Sequence, residues 1–417
     1  MRSFFANLGP GLVTGAADDD PSGISTYSIT GATFGLTQLW TVFLTFPLMC
    51  AVQIMCGRLG VVSGEGLAAT IRRHGSRRLL MFSCSLLVVA NVVNIAADFS
   101  GMAECLEMVT GIHERIWLPV LGVGIVAALV LWSYRRLASV FKWLTLVLFA
   151  YVGAALACRP DWGPVLRATF VPHLELNAAY LATLVGLLGT TITPYMFFWQ
   201  AAQEVEEERA QGRTSRRSRL GATLDEIKLV DRDVVVGMGW AGIAMYFIIL
   251  TTASTLHGTG VQIDSAKQAA EALKPIAGQW AYLLFTLGIV GTGTLAIPVL
   301  AGSAAYATAE ALHFHGSLDD RPRVGRKFYT VLALAIVLGL LLSVFEVNAM
   351  RALFISAIVN GVLAPPLVLI VTNLTSDPNV MGKRTSSPVL RGLGYATFAL
   401  MSLASVLMLG SWLVTAR

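Results

Sequence analysis

The sequence predicts an all-α membrane protein of about eleven transmembrane helices, in two five-helix blocks plus one extra helix, with the first and sixth helices discontinuous. Three observations lead there. The 417 residues are 55% apolar and only 13% charged, with a mean hydropathy of +0.68. A soluble domain carries about 25% charge, so the surplus apolar surface exceeds what a globular core hides, which excludes a cytosolic enzyme and a disordered scaffold. The apolar residues fall into runs of spanning length, and two of those runs are interrupted by proline, glycine and polar residues.

A spanning helix needs about 20 apolar residues. The qualifying stretches are 8–32, 38–57, 79–108, 116–132, 138–158, 178–203, 234–256, 277–308, 328–345, 351–374 and 390–413. The third and eighth are long enough to tilt or to project past the bilayer. Lysine and arginine gather in alternate loops, as the positive-inside rule requires. With the N-terminus in the cytoplasm, 23 of the 30 basic residues lie in cytoplasmic segments, including seven between Arg209 and Arg232. That asymmetry predicts an inner-membrane protein with a cytoplasmic N-terminus and an outside C-terminus. It also explains the net charge of +5 without nucleic acid. The charged loop 204–232 reads as a solvated cytoplasmic connection. His313 and His315 lack carboxylate or thiolate neighbours and are a weak metal signal. The five cysteines lie within or at the edges of apolar runs and read as buried thiols. The N-terminal segment has no cleavage pattern and does not read as a removable signal peptide.

The first span reads GPGLVTGAADDDPSGISTYSITG and the sixth LVGLLGTTITPYMFFWQAAQE. Proline removes a backbone donor, and the freed carbonyls must find partners where there is no water. Both interruptions fall near the bilayer midplane, each in the first span of a five-span block. Because five is odd, the blocks have opposite orientations. Matching broken helices in two halves are the best sequence pointer to the binding site of a secondary transporter, and the pattern predicts a leucine-transporter-like inverted repeat. The chain then reads as one transport domain, 1–417, with repeats at about 8–158 and 178–374 and an extra helix at about 390–413.

Ionisable residues at membrane depth are functional candidates by default. Here they are Asp18, Asp19, Asp20 and Asp98, with Glu104 and Glu107 nearer the outer face, and no base lies at matching depth. Acid without base is either protonated or meets a cation. Asp20, unwound carbonyls and the threonines at 190–193 make an oxygen set suited to Mg²⁺, Ca²⁺ or Mn²⁺. Asp18 and Asp19 either attract cations or bond the broken backbone. Asn91, Asn94 and Asp98 recur at helical spacing; the stripe either lines a permeation path or lets Asn94 satisfy Asp98. Gln200 and Gln203 either line a cytoplasmic vestibule or serve as helix-packing contacts. An intramembrane aspartyl protease using Asp20 and Asp98 would need paired carboxylates, but its glycine-flanked aspartate motif is absent. The chain therefore does not read as an enzyme.

These motifs resemble those of the NRAMP divalent-metal transporters. The family's Asp-Pro-Gly-Asn appears as Asp20-Pro21-Ser22-Gly23, and its Ala-x-x-Met-Pro-His as Thr190-Thr191-Ile192-Thr193-Pro194-Tyr195. The third-span Ala96-Ala97-Asp98-Phe99-Ser100-Gly101 is similar to the family's third-span pattern. The resemblance implies a metal site built from Asp20, Gly23, Thr190, Thr193 and Tyr195, with the Thr190 carbonyl still able to serve. It also implies that the metal is transported substrate and not cofactor, and that the protein acts as a monomer in a lipid bilayer. The departures shift the expected substrate. Thr193 replaces the methionine whose thioether favours softer metals, and Gly23 replaces the asparagine. The family's histidine is Tyr195, its third-span glutamates align with Asn91 and Gly101, and the ninth span lacks its arginines. The pattern is similar to the NRAMP-related magnesium transporters of prokaryotes. It implies Mg²⁺, and also Mn²⁺, moved by alternating access without proton coupling. The alternative is an ordinary proton-coupled Mn²⁺ or Fe²⁺ importer, supported by Asp98.

Overall fold

The computed structural model describes residues 10–131, 144–260, 262–320, 323–345 and 348–415. It is all helical over these residues. The first span is split into α1 (Pro10–Asp18) and α2 (Pro21–Phe34). The chain continues through α3 (Thr41–Ser63), the short α4 (Leu67–His74), α5 (Arg77–Thr110) and α6 (Glu114–Leu131). The fifth span is a 3₁₀ turn, Leu144–Phe149, running into α7 (Ala150–Ala157), and α8 (Trp162–Phe170) follows outside it. The start of that span, 138–143, lies outside the described residues.

The sixth span is split into α9 (Ala178–Thr191) and α10 (Pro194–Ala210). Then come α11 (Leu224–Thr255), α12 (Ala281–Leu312), α13 (Arg326–Ser343), α14 (Ala349–Ser376) and α15 (Pro388–Thr415). Nine segments among the described residues are long and apolar enough to cross a membrane. The broken first span and the partly described fifth complete the expected set. At 1.5 Å per residue, the 34-residue α5 and 32-residue α12 exceed a hydrocarbon core of about 30 Å, as the sequence anticipates.

Solvent selects this architecture. Apolar residues cover the outer surface, as with Val123, Leu341 and Leu413, while polar ones turn inward. Thr26, Thr30, Thr191 and Thr252 are fully or almost fully buried and return their hydroxyls to carbonyls in their own helices. The sixth span is buried throughout its most apolar window, which places it at the centre of the bundle. Backbones approach closely where glycines allow it. A side chain on Gly189 would put its Cβ 2.1 Å from the Ala357 carbonyl oxygen, and one on Gly361 would sit 2.4 Å from that of Val185. This contact seats α9 directly on α14.

The segment 204–232 is not the solvated loop that its charge suggests. The sixth helix runs on to Ala210 and the seventh begins at Leu224. Glu204, Glu206, Glu208 and Arg219 are buried. Arg209 pairs with Glu206 at 2.6 Å, Arg213 with Glu208 at 2.9 Å and with Glu226, and Arg216 with Glu65 at 3.0 Å. Arg219 donates to the Gly64, Arg213 and Thr214 carbonyls. Mixed charge reads as solvated when the partners are unknown; here the charges satisfy one another. Burial alone would raise the Glu65 carboxyl, but the hydrogen bonds from Arg73 and the charge of Arg216 hold it below the usual carboxylate range. Cys158 also departs from expectation, being half-buried where the other four cysteines are buried.

Gly189 tests the packing directly. Gly189→Val should lower the thermal midpoint in detergent by several degrees, an overpacking cost of about 1–3 kcal/mol. On α6, Gly124 has nothing within 4 Å of its Cβ position, so Gly124→Ala should leave the midpoint unchanged or slightly raised. Equal midpoints for the two variants would show that α9 and α14 do not approach this closely.

Candidate metal site

Both broken spans share one local construction. Each half-helix ends, two residues intervene (Asp19–Asp20 and Ile192–Thr193), and a proline opens the next half-helix. Proline suits that first helical position because the N–H it lacks would have had no partner there. Its cost falls four residues earlier, where a continuous helix would have bonded that N–H to a carbonyl. Counting back from Pro21 and Pro194 identifies those carbonyls as Ala17 and Thr190. They lie at the C-terminal ends of α1 and α9, which carry partial negative charge.

The N-terminal ends are finished differently. Asp20 is the N-cap of α2, and its Oδ1 accepts from the Gly23 amide at 2.8 Å and from the Ser22 hydroxyl at 2.6 Å. Its Oδ2 has no partner. Thr193 occupies the N-cap of α10 but makes no capping hydrogen bond, although threonine there ordinarily contributes about 1 kcal/mol by capping. Its hydroxyl and that of Thr190 lie near the Tyr195 and Tyr27 phenols without forming hydrogen bonds of normal geometry. The Tyr195 hydroxyl crosses to the other half and donates to the Ala17 carbonyl at 2.9 Å.

The residues read from the sequence converge here. Asp18, Asp19, Asp20, Thr190, Thr193 and Tyr195 are all 1% exposed or less. The carboxylates of Asp18 and Asp19 accept no hydrogen bond, so they do not bond the broken backbone. Gly23 faces the second break: a Cβ there would lie 3.1 Å from Thr190 Oγ1 and 3.4 Å from the Asp18 carbonyl. Asp98 is close enough to feel the charge of Asp20. None of the four side-chain polar atoms of Asn94 and Asp98 is hydrogen-bonded, so Asn94 does not satisfy Asp98. Asn91 is turned away, donating to the Leu300 carbonyl and the Ser303 hydroxyl at 2.7 Å each.

Gln200 is a connector: Thr14 donates to its Oε1 at 2.6 Å, and its Nε2 donates to Glu204 at 2.8 Å. Gln203 is half-buried, and its Nε2 has no partner. The Glu104 and Glu107 carboxylates accept from the amides of Ala266 and Glu114, which makes them partners of neighbouring helix starts. Sequence reading missed Ala17 and Glu204. Of these, only Ala17 had a signal, its place four residues before a proline.

Chemically, the centre is oxygen-rich and acidic. Two helix C-termini, one capping carboxylate with a bare oxygen, two threonine hydroxyls and a neighbouring aspartate meet out of contact with water. Buried charge of one sign calls for a counter-charge. Among the described residues no three carboxylate, thiol or imidazole groups converge as a chelating cluster.

A bundle whose first and sixth spans are broken alike has the leucine-transporter-like fold. The chain belongs to the NRAMP family: the model for natural resistance-associated macrophage protein-like sequences matches residues 11–411. Similar relatives include the divalent metal cation transporter MntH of Deinococcus radiodurans, 27% identical over 311 residues, covering 72% of this chain and 69% of that protein. MntH of Klebsiella pneumoniae is 26% identical over 417 residues, covering 98% and 94%. Among solved structures, the Eremococcus coleocola manganese transporter, in complex with an aromatic bis-isothiourea substituted compound, superposes with a TM-score of 0.78. It is 17% identical and covers 97% of this chain and 86% of its own. The nucleobase-cation-symport transporter Mhp1 superposes at 0.57 with 14% identity, covering 98% and 91%. The chain is thus a multi-pass membrane protein of the NRAMP family, similar to divalent metal cation transporters.

The Gly23–Thr190 contact makes a specific prediction. Gly23→Asn alone should reduce divalent-metal uptake about tenfold, because the new side chain presses on Thr190 in a packed interior. Adding Thr190→Ala should recover most of the loss, since the two positions share one space. Uptake by vesicles containing each variant measures this, and additive losses in the double variant would refute the contact.

Proposed function

We propose that this protein carries Mg²⁺, and also Mn²⁺, into the cell by alternating access without proton coupling. The observation that carries the proposal is the donor set at the two breaks. Every candidate ligand among Asp20, Gly23, Thr190, Thr193 and Tyr195 offers oxygen or only backbone, with neither thioether nor imidazole. Oxygen donors suit hard cations, whereas sulfur and nitrogen favour the later transition metals. Mg²⁺ sheds water reluctantly and usually keeps several waters. A glycine at position 23 leaves room for them.

In this reading Asp20 is the principal charged ligand through its bare Oδ2. The Thr190 carbonyl and the Thr193 hydroxyl contact the ion directly or through water, and Asp18 and Asp19 add negative potential. The N-terminus lies in the cytoplasm and the C-terminus outside, following the basic loops. One chain forms one transport domain and works as a monomer. The driving force is the inside-negative potential, about 2.3 kcal/mol per charge at 100 mV and twice that for a divalent ion, so uptake needs no proton. Asp98, buried near Asp20 without a hydrogen bond, is the one feature that favours the second reading, a proton-coupled Mn²⁺ importer.

Proteoliposomes with a negative-inside potential, a Mg²⁺ indicator and a pH dye separate the two. Magnesium entry without acidification is expected, and Asp20→Asn should lower it at least a hundredfold while the variant folds normally. Acidification tracking Mn²⁺ entry, with Mg²⁺ inert, would establish the second reading. Undiminished flux in folded Asp20→Asn would remove Asp20 from the site.

A further inference from the structure

We propose that Tyr195 sets how much water the transported ion keeps, by holding the Ala17 carbonyl away from it. This inference rests on the metal site proposed above. The two breaks are built alike, so each frees a carbonyl at the corresponding place: Ala17, four residues before Pro21, and Thr190, four residues before Pro194. They are not used alike. The Ala17 carbonyl accepts the Tyr195 hydroxyl at 2.9 Å.

The residue following the proline decides the difference. In the second break it is Tyr195, long enough to reach across to α1. In the first it is Ser22, whose short hydroxyl turns back 2.6 Å to Asp20 Oδ1. Tyr195 is fully buried and within the electrostatic reach of Asp18, Asp20 and Asp98, so its hydroxyl lies at the acidic centre. A carbonyl already accepting from a phenol is a weaker and differently aimed ligand than a bare one. The ion therefore fills that coordination position with water. Ions that hold their water firmly are favoured, and ions that need a full protein shell lose one oxygen.

The test is Tyr195→Phe, which removes one oxygen and keeps the ring. Uptake of Mg²⁺, Mn²⁺ and Ca²⁺ is measured for the full-length protein in proteoliposomes under a fixed potential, with thermal midpoints measured in parallel. Freeing the Ala17 carbonyl should lower the KM for Ca²⁺ and Mn²⁺ relative to Mg²⁺ by about three- to tenfold, the equivalent of one hydrogen bond. A merely structural role would depress all three ions in proportion and leave their KM ratios at the wild-type value, which would overturn the proposal. If Tyr195→Phe does not fold, Tyr195→Leu keeps an apolar side chain with neither a hydroxyl nor a sulfur, and the same shift in ratio is expected. The two readings fail separately. Wild-type protein that carries Mn²⁺ but not Mg²⁺ defeats the magnesium reading, while the KM for Mn²⁺ and Ca²⁺ in Tyr195→Phe against wild type still tests whether Ala17 has become a ligand. A KM that fails to fall for either ion would then overturn this proposal as well.

Discussion

The backbone cannot leave a peptide group unsatisfied in hydrocarbon, and this chain breaks that pattern twice, deliberately and in the same way. Pro21 and Pro194 each withhold one N–H, and each leaves one carbonyl at the end of a half-helix. The consequences organise the rest of the bundle. The breaks must be enclosed by other helices, so the sixth span is buried and α9 lies glycine-to-backbone on α14. The carbonyls must face something positive, so the surrounding polar groups are acids and hydroxyls. The two N-terminal ends must also be finished, which Asp20 does with one oxygen while presenting the other.

The fold was almost entirely legible because membrane solvent writes it in plain terms. Apolar runs of spanning length, basic loops and two prolines at equivalent places suffice to give the helices and the breaks. The charged stretch between the sixth and seventh spans was misjudged for a physical reason. Composition reports charge but not pairing, and Arg213 and Arg216 find Glu208, Glu226 and Glu65 only once α10, α11 and the turn between α3 and α4 are assembled. The sequence could name the carboxylates at the site but not their partners. That Asp98 lacks a bond from Asn94, and that Tyr195 bonds Ala17, are facts of side-chain direction set by packing across more than a hundred residues.

The departures from the family pattern form a coupled set in space. Gly23 faces Thr190 across the two breaks, where a Cβ would lie 3.1 Å from the Thr190 hydroxyl, and Tyr195 reaches Ala17 in the opposite sense. A change at one position alters what its neighbour can do. Single positions read from an aligned motif therefore describe only half of each such pair.

The docking of α1 divides its labour in a similar way. Gly11 and Gly15 lie against the backbone of α11, where a Cβ on Gly15 would fall 2.2 Å from the Gly237 carbonyl oxygen. Two hydrogen bonds add to this contact, the Gly11 amide to Asp233 at 2.6 Å and the Thr14 hydroxyl to Gln200. The hold on α1 is thus divided: the glycines set how near it lies to α11, and Asp233 and Gln200 fix it there through groups whose loss leaves the glycine contact in place.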